Sequence, residues 1–286
     1  MRQLKLLVAC LLLAQAIARG QHWQHQFGAA SAAMGGTKVH LAGTHALFNN
    51  PAGLALLKNS VVAGSFSNRY GLPQFMETGL AAAAPLKYFV AGLQVTRFGD
   101  AVFSQQKLGA SMAHEIAGVR LGLRANLLQT RIQDAGSAST PSFDAGATAQ
   151  LSENLALGAY IFNLGSARFT SDWQDFVPSV MSLGVFWQPV PLLQVHLEAE
   201  KDSHFPLLVK CGMQYQLADK VQARLGIIAP QRTITAGCDI HIKKWQIGYA
   251  FGNDWRLGAL HQLGVSVVFP HSQKQQNTTT HEEAAE

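Results

Sequence analysis

From Val61 onward, apolar residues recur at every second position. Successive side chains of a strand point to opposite faces, so this period commits the chain to strands with one apolar and one polar or small face. The clearest run puts Leu207, Val209, Cys211, Met213, Tyr215 and Leu217 on one face, against Leu208, Lys210, Gly212, Gln214 and Gln216 on the other. Trp245, Ile247, Tyr249 and Phe251 likewise oppose Gln246, Gly248, Ala250 and Gly252. Strands of a soluble sandwich average about 5–6 residues. These runs reach about 9–12, the length of a tilted strand that spans a bilayer. Their centres fall near Gly64, Ala81, Leu93, Ser111, Leu123, Ala147, Ala159, Leu183, Leu197, Gly212, Leu225, Gly237, Gly248 and Val265. The expectation is an all-β, antiparallel transmembrane barrel of about fourteen strands.

The connections alternate between short and long, with the link at Pro230–Arg232, of only about three residues, as an exception. Short ones lie at Pro85–Lys87, Ala117–Gly118, Ser152–Asn154, Gln188–Pro191, Ala218–Lys220 and Lys243–Lys244; longer ones at Arg69–Phe75, Gly99–Gln105, Ile132–Ser142, Gly165–Pro178, Asp202–Pro206 and Asn253–Gly258. Outer-membrane barrels have short periplasmic turns and longer outer loops. Strand 1 therefore starts, and strand 14 ends, on the periplasmic side. Tyr70, Phe98, Trp173, Trp187, Trp245, Trp255 and Phe269 stand near strand ends, as an interfacial girdle would. The final strand ends on the aromatic Phe269, which resembles the signal read by barrel-assembly machinery; a polar tail, expected to be disordered, follows it.

Composition agrees. Only 14% of residues are charged, against roughly 25% in an average soluble domain. Arg2 and Lys5 precede the apolar Leu6–Leu13, and Ala16-Ile17-Ala18 or Ala18-Arg19-Gly20 offers a cleavage site, so residues 1–20 read as a signal peptide. Cleavage would remove three positive charges and no negative ones from the formal +5, which leaves no case for nucleic acid. Cys211 and Cys238 fall two strands apart. That separation of about 9–10 Å exceeds the roughly 7 Å limit for a disulfide, so both are expected as free thiols on the apolar face.

Residues 21–59 do not alternate. They pair a small, flexible stretch, Gly28–Gly36, with a compact, partly helical piece, Thr44–Ala55, closed by Pro51 and Gly53. Eight strands enclose just enough room for their own side chains; fourteen leave space for a plug. The domain reading is therefore signal 1–20, hatch 21–59, barrel 60–270 and polar tail 271–286.

The pairing of GAASAAMGG (Gly28–Gly36) with ALFNNPAGLA (Ala46–Ala55) resembles the N-terminal hatch of FadL-type outer-membrane transporters, and more closely that of their PorV/PorQ-type relatives in the Bacteroidetes. Asn49, Asn50, Pro51, Ala52 and Gly53 carry the motif; His45 departs from the acidic step of many relatives. The resemblance implies a plugged barrel in the outer membrane of a Gram-negative bacterium. It also implies passive transport of hydrophobic small molecules, or alternatively accessory barrel work in type IX protein secretion. The partners it implies are membrane lipid, barrel-assembly machinery, and a hydrophobic solute or secretion-system proteins.

Arg120, Arg124, Lys210 and Arg224 fall on the polar faces, as do Asp144, Glu198, Glu200 and Asp239, and are expected as charges lining the lumen, bridged across it. No P-loop, G-x-S-x-G or C-x-x-C pair occurs. His22 and His25 read as solvated, His40 and His45 lack a partner carboxylate, and Asp202-Ser203-His204 is contiguous, unlike a triad drawn from distant segments. The reading is no enzyme, no cofactor and no metal.

Overall fold

A computed structural model describes residues 27–169, 177–255 and 257–270. The signal, the tail, His22, His25 and Trp173 lie outside the described residues. Fourteen antiparallel strands form one closed barrel: β1 (Ser60–Arg69), β2 (Met76–Pro85), β3 (Val90–Gly99), β4 (Phe103–Ile116), β5 (Val119–Ile132), β6 (Gly136–Ser152), β7 (Leu155–Leu164), β8 (Val180–Val190), β9 (Leu193–Asp202), β10 (Leu208–Ala218), β11 (Val221–Ala229), β12 (Thr233–Ile242), β13 (Trp245–Asp254) and β14 (Gly258–Phe269). Every strand pairs with its sequence neighbours, and β14 closes on β1 from Ser60↔Phe269 to Arg69↔Leu260. Closure gives every strand a partner on each side.

The alternation has the expected sense. Val209, Met213, Tyr215 and Leu217 are exposed on the outer wall, while Lys210 and Gly212 are buried inside. Leu80, Leu93 and Ile234 are each 63% exposed. A wall of this kind is inverted relative to a soluble protein and matches hydrocarbon. The two cysteines are free, Cys238 exposed and Cys211 half-buried. Trp187, Trp245, Trp255 and Phe269 are exposed near strand ends.

One end of the barrel carries tight turns. At Ala117 (φ 51°) and Gly118 (φ 79°) both central residues are left-handed, the geometry of a type I′ hairpin. The other end differs from the expected loops. Strand β5 runs to Ile132 and β6 begins at Gly136, so most of Ile132–Ser142 is strand, not loop. Its Gly, Ser, Thr and Pro composition hides a strand without an apolar face. Pro141 is tolerated there because β6 pairs only with β5 at that height; pairing with β7 begins at Phe143↔Leu164. Asp202 is the last residue of β9, and Gly99 and Phe103–Gln105 also belong to strands. The longest connection is 165–179.

Inside sits the N-terminal segment. Helix α1 (Ala29–Ala33) and the first four residues of the 3-10 turn Pro51–Leu56 are almost wholly buried against the inner wall, while in the preceding 3-10 turn, Gly43–Ala46, Ala46 is buried and the rest half-buried. The stretch expected to be flexible is instead a closed helix end. Gly35 (φ 65°) takes the left-handed position and Gly36 N donates to Ser31 O at 2.8 Å, a Schellman closure.

Candidate functional site

Glycines on the inner wall make room for the plug. A Cβ on Gly122 would lie 2.3 Å from the Ala52 nitrogen, and one on Gly146 would lie 1.7 Å from Asn50 Oδ1. Gly122 and Gly146 face each other across β5 and β6. Gly212 and Gly226 do the same across β10 and β11, and a Cβ on Gly226 would lie 2.1 Å from the Gly35 nitrogen. Backbone can thus approach backbone only because the wall lacks side chains.

Within the hatch motif, Asn50 is extended before Pro51, which opens the second 3-10 turn, and its Oδ1 caps that turn by accepting from Ala52 N at 3.0 Å. Its Nδ2 donates to Val39 O at 2.7 Å, and reaches Ala159 O of β7 at 3.4 Å. Asn49 accepts from Phe27 N at 3.2 Å and donates to Phe27 O and His45 O, both at 2.8 Å. Gly53 is required: a Cβ there would sit 2.0 Å from Leu41 O. The two asparagines therefore tie the plug to itself and to β7.

Three buried charge groups tie it to the wall. Arg124 donates to Leu47 O (3.1 Å), Asn49 O (2.8 Å) and Ser111 Oγ (2.9 Å), and lies 3.7 Å from Asp144, its ladder partner. Asp144 also accepts from Tyr160 OH and Asn163 N, both at 3.2 Å. In the second group, Glu198 accepts from Lys38 N (2.8 Å) and Val39 N (3.0 Å), while Glu200 pairs with both Lys38 and Lys210. Lys210 also donates to Gly36 O at 3.2 Å. Burial pulls the Lys38 ammonium down to about 8, opposed by the attraction of Glu200. In the third, Arg224 is ion-paired with Asp239, and His45 Nε2 stands 3.8 Å from Asp239 and 2.8 Å from Gln246 Nε2. Thr44 donates to Gln246 Oε1 at 2.8 Å.

Of the eight lumen charges expected from sequence, Arg124, Asp144, Glu198, Glu200, Lys210, Arg224 and Asp239 stand in these groups. Arg120 does not: it bonds Glu115 at 3.0 Å across the β4–β5 hairpin, at the turn end. Lys38, Glu77 and Lys107 are buried charges that the sequence reading passed over. For Glu77 a signal existed, the inward series Glu77, Gly79, Ala81 and Ala83. Asp202, Ser203 and His204 are no relay: Asp202 Oδ1 (3.8 Å) and Ser203 Oγ (2.7 Å) both approach His204 Nδ1, whereas a triad uses both ring nitrogens.

The plug separates two cavities. At the turn end a vestibule of about 690 Å³ is lined by the amides of Gln150, Gln188, Gln194, Gln214, Gln222 and Gln246, with His40, His196, Arg120 and Phe186. At the loop end a cavity of about 240 Å³ mixes Phe27, Tyr70, Leu208, Ile228 and Leu260 with Arg69, Lys210, Asp254 and Gln262.

No family model and no curated protein matches the chain. Solved structures do. The toluene transporter TodX of Pseudomonas putida aligns with a TM-score of 0.62 at 14% identity, over 87% of this chain and 99% of that one. A FadL homologue of Pseudomonas aeruginosa gives a TM-score of 0.62 at 12% identity, over 85% and 98%. At these identities the likeness is one of fold.

Proposed function

We propose that the chain is an outer-membrane channel that passively admits small, largely hydrophobic molecules, resting on a plug that is displaced during passage. The observation that carries this is the pair of cavities on opposite faces of one buried plug. It is supported by the shared fold with TodX, a toluene transporter. Phe27, Leu208, Ile228 and Leu260 offer apolar contact at the loop end, and the neighbouring polar groups suit a solute with one polar handle. The turn end faces the periplasm on this reading, and residues 1–20 act as the export signal. The type IX alternative calls for an extracellular docking surface. Apart from 165–179, the described loop-end links are short, such as 133–135 and 230–232, so that reading gains no support from them.

The test is uptake of labelled toluene by cells depleted of other outer-membrane channels. Uptake above the empty-vector level, saturating with concentration, is expected. Vector-level uptake by cells holding correctly folded protein overturns the proposal.

A further inference from the structure

The grip on the plug is uneven around the barrel. On β5, β6 and β11 the wall glycines touch plug atoms so closely that a Cβ would come within 2.3, 1.7 and 2.1 Å. On β13 and β14 the contact relaxes. A Cβ on Gly248 would stand 3.3 Å from Ala29 Cβ, and the nearest plug atom to a Cβ on Gly264 is Ala29 Cβ at 3.5 Å, ordinary van der Waals contact. Gly248 and Gly264 are ladder partners, so neither strand puts a side chain of its own between wall and plug here, although the Asp239 carboxylate of β12 fills the space over Gly248, where a Cβ would lie 2.0 Å from its Oδ1.

A third chamber, of about 40 Å³, lies along this seam. It shares Phe27, Gly28 and Ser31 with the loop-end cavity, and Thr44, His45 and Gln246 with the turn-end vestibule. The three cavities therefore form a series past one flank of the plug. Ser31 is 1% exposed, and its hydroxyl has no hydrogen-bond partner among the described residues. A buried hydroxyl left so is costly unless something polar visits it. At the turn end the series is closed by Gln246, whose side chain bonds Thr44 and His45, each at 2.8 Å.

Resting on the channel reading above, we infer that solute passes between α1 and strands β13, β14 and β1. Gln246 with Thr44 and His45 forms the constriction, and Ser31 is the polar contact within. Asn50–Ala52, held against β5–β7, is the fixed side of the plug. The passage needs a displacement of α1 from β14, with Arg124 and Glu198 holding the rest in place. It selects narrow solutes with one polar group, because its lining alternates Phe27 and Ala63 with Ser31, Ser65 and Ser266.

The test uses the full protein with Cys211 and Cys238 changed to serine, in planar bilayers and in cells. Gln246→Ala should raise ion conductance several-fold over the parent. Adding Ala29→Cys with Gly264→Cys places two Cβ atoms 3.5 Å apart, within disulfide reach of about 3.5–4.5 Å. Oxidation should abolish the rise, and reductant should restore it. The pair Val39→Cys with Gly184→Cys on the fixed side, whose Cβ atoms at 3.1 Å must part by a few tenths of an ångström to enter that range, should leave the rise intact when oxidised, with the bond itself verified by thiol titration. Folding of every variant is verified by heat-modifiability. Conductance of Gln246→Ala equal to the parent's overturns the route; so does a rise that survives the first disulfide or is lost with the second. Toluene uptake is read on the same proteins. Absent uptake with the conductance pattern intact overturns the solute reading and leaves the route standing.

Discussion

Nη1 of Arg124 lies 2.8 Å from the carbonyl oxygen of Asn49, so a strand side chain holds the plug at the peptide just ahead of the Asn50-Pro51 turn. The same guanidinium faces Asp144, and both side chains are wholly buried. Replacing Arg124 with alanine strips the plug of two acceptor contacts and leaves a buried carboxylate without its cation. Breaking one side of such a pair costs about 3–5 kcal/mol. Arg124→Ala should lower the temperature at which the unboiled band converts on gels. Arg124→Lys, which keeps the charge but not the fork, should fall between. Unchanged conversion in Arg124→Ala would remove the claimed anchor.

Gly146 should be poorly replaceable, since a Cβ there would lie 1.7 Å from Asn50 Oδ1, whose amide is held in place by Ala52 N and Val39 O. Gly146→Ala should unseat the plug while leaving the barrel closed, visible as protease cleavage within 27–57 of a still heat-modifiable protein. Gly264→Ala, where the nearest atom is 3.5 Å away, should stay resistant. Equal behaviour of the two would refute the uneven grip.

Seating of the plug should depend on alkaline pH through Lys38. Its pKa falls from 10.5 to about 8 in the folded protein, first because of burial. The unseated state therefore binds the proton more tightly, and protonation favours release. Stability is flat below about pH 8 and rises as pH climbs from there toward 10.5. Protease resistance of 27–57, followed across that window, should increase, and Lys38→Met should flatten the curve. A decrease with pH would contradict the assignment.

Much of this architecture is legible in the chain because an apolar outer wall and a polar lumen impose period 2. That is why every strand centre read from sequence falls within a strand. The pattern fails where the environment changes. Residues 136–142 extend β6 beyond the apolar band, so no apolar face marks them. Helix α1 is too short for a helical period to register, and its small residues read as flexible until the facing glycines of β11–β13 are known. Inward charges such as Arg124 and Asp144 show in the alternation, but Lys38 lies in the plug, outside any period. Arg120 shares the face of Arg124, yet its height places it at the hairpin beside Glu115. Height along a strand is not encoded by parity.

Depth does govern the outer wall, and arginine substitutions should report it. Leu225 lies mid-strand in β11 and is 58% exposed; Leu217 lies near the turn end of β10 and is 61% exposed. In hydrocarbon, an arginine on the lipid face costs about 2–4 kcal/mol at the midplane and about 0–1 near the interface. Leu225→Arg should therefore lose stability by the larger amount and Leu217→Arg by little, measured as urea-dependent folding into lipid vesicles. In a soluble barrel both sites would meet water and both substitutions would be nearly neutral. Equal, small costs would place this wall outside a bilayer, whereas a depth-dependent difference fixes β11 across its middle.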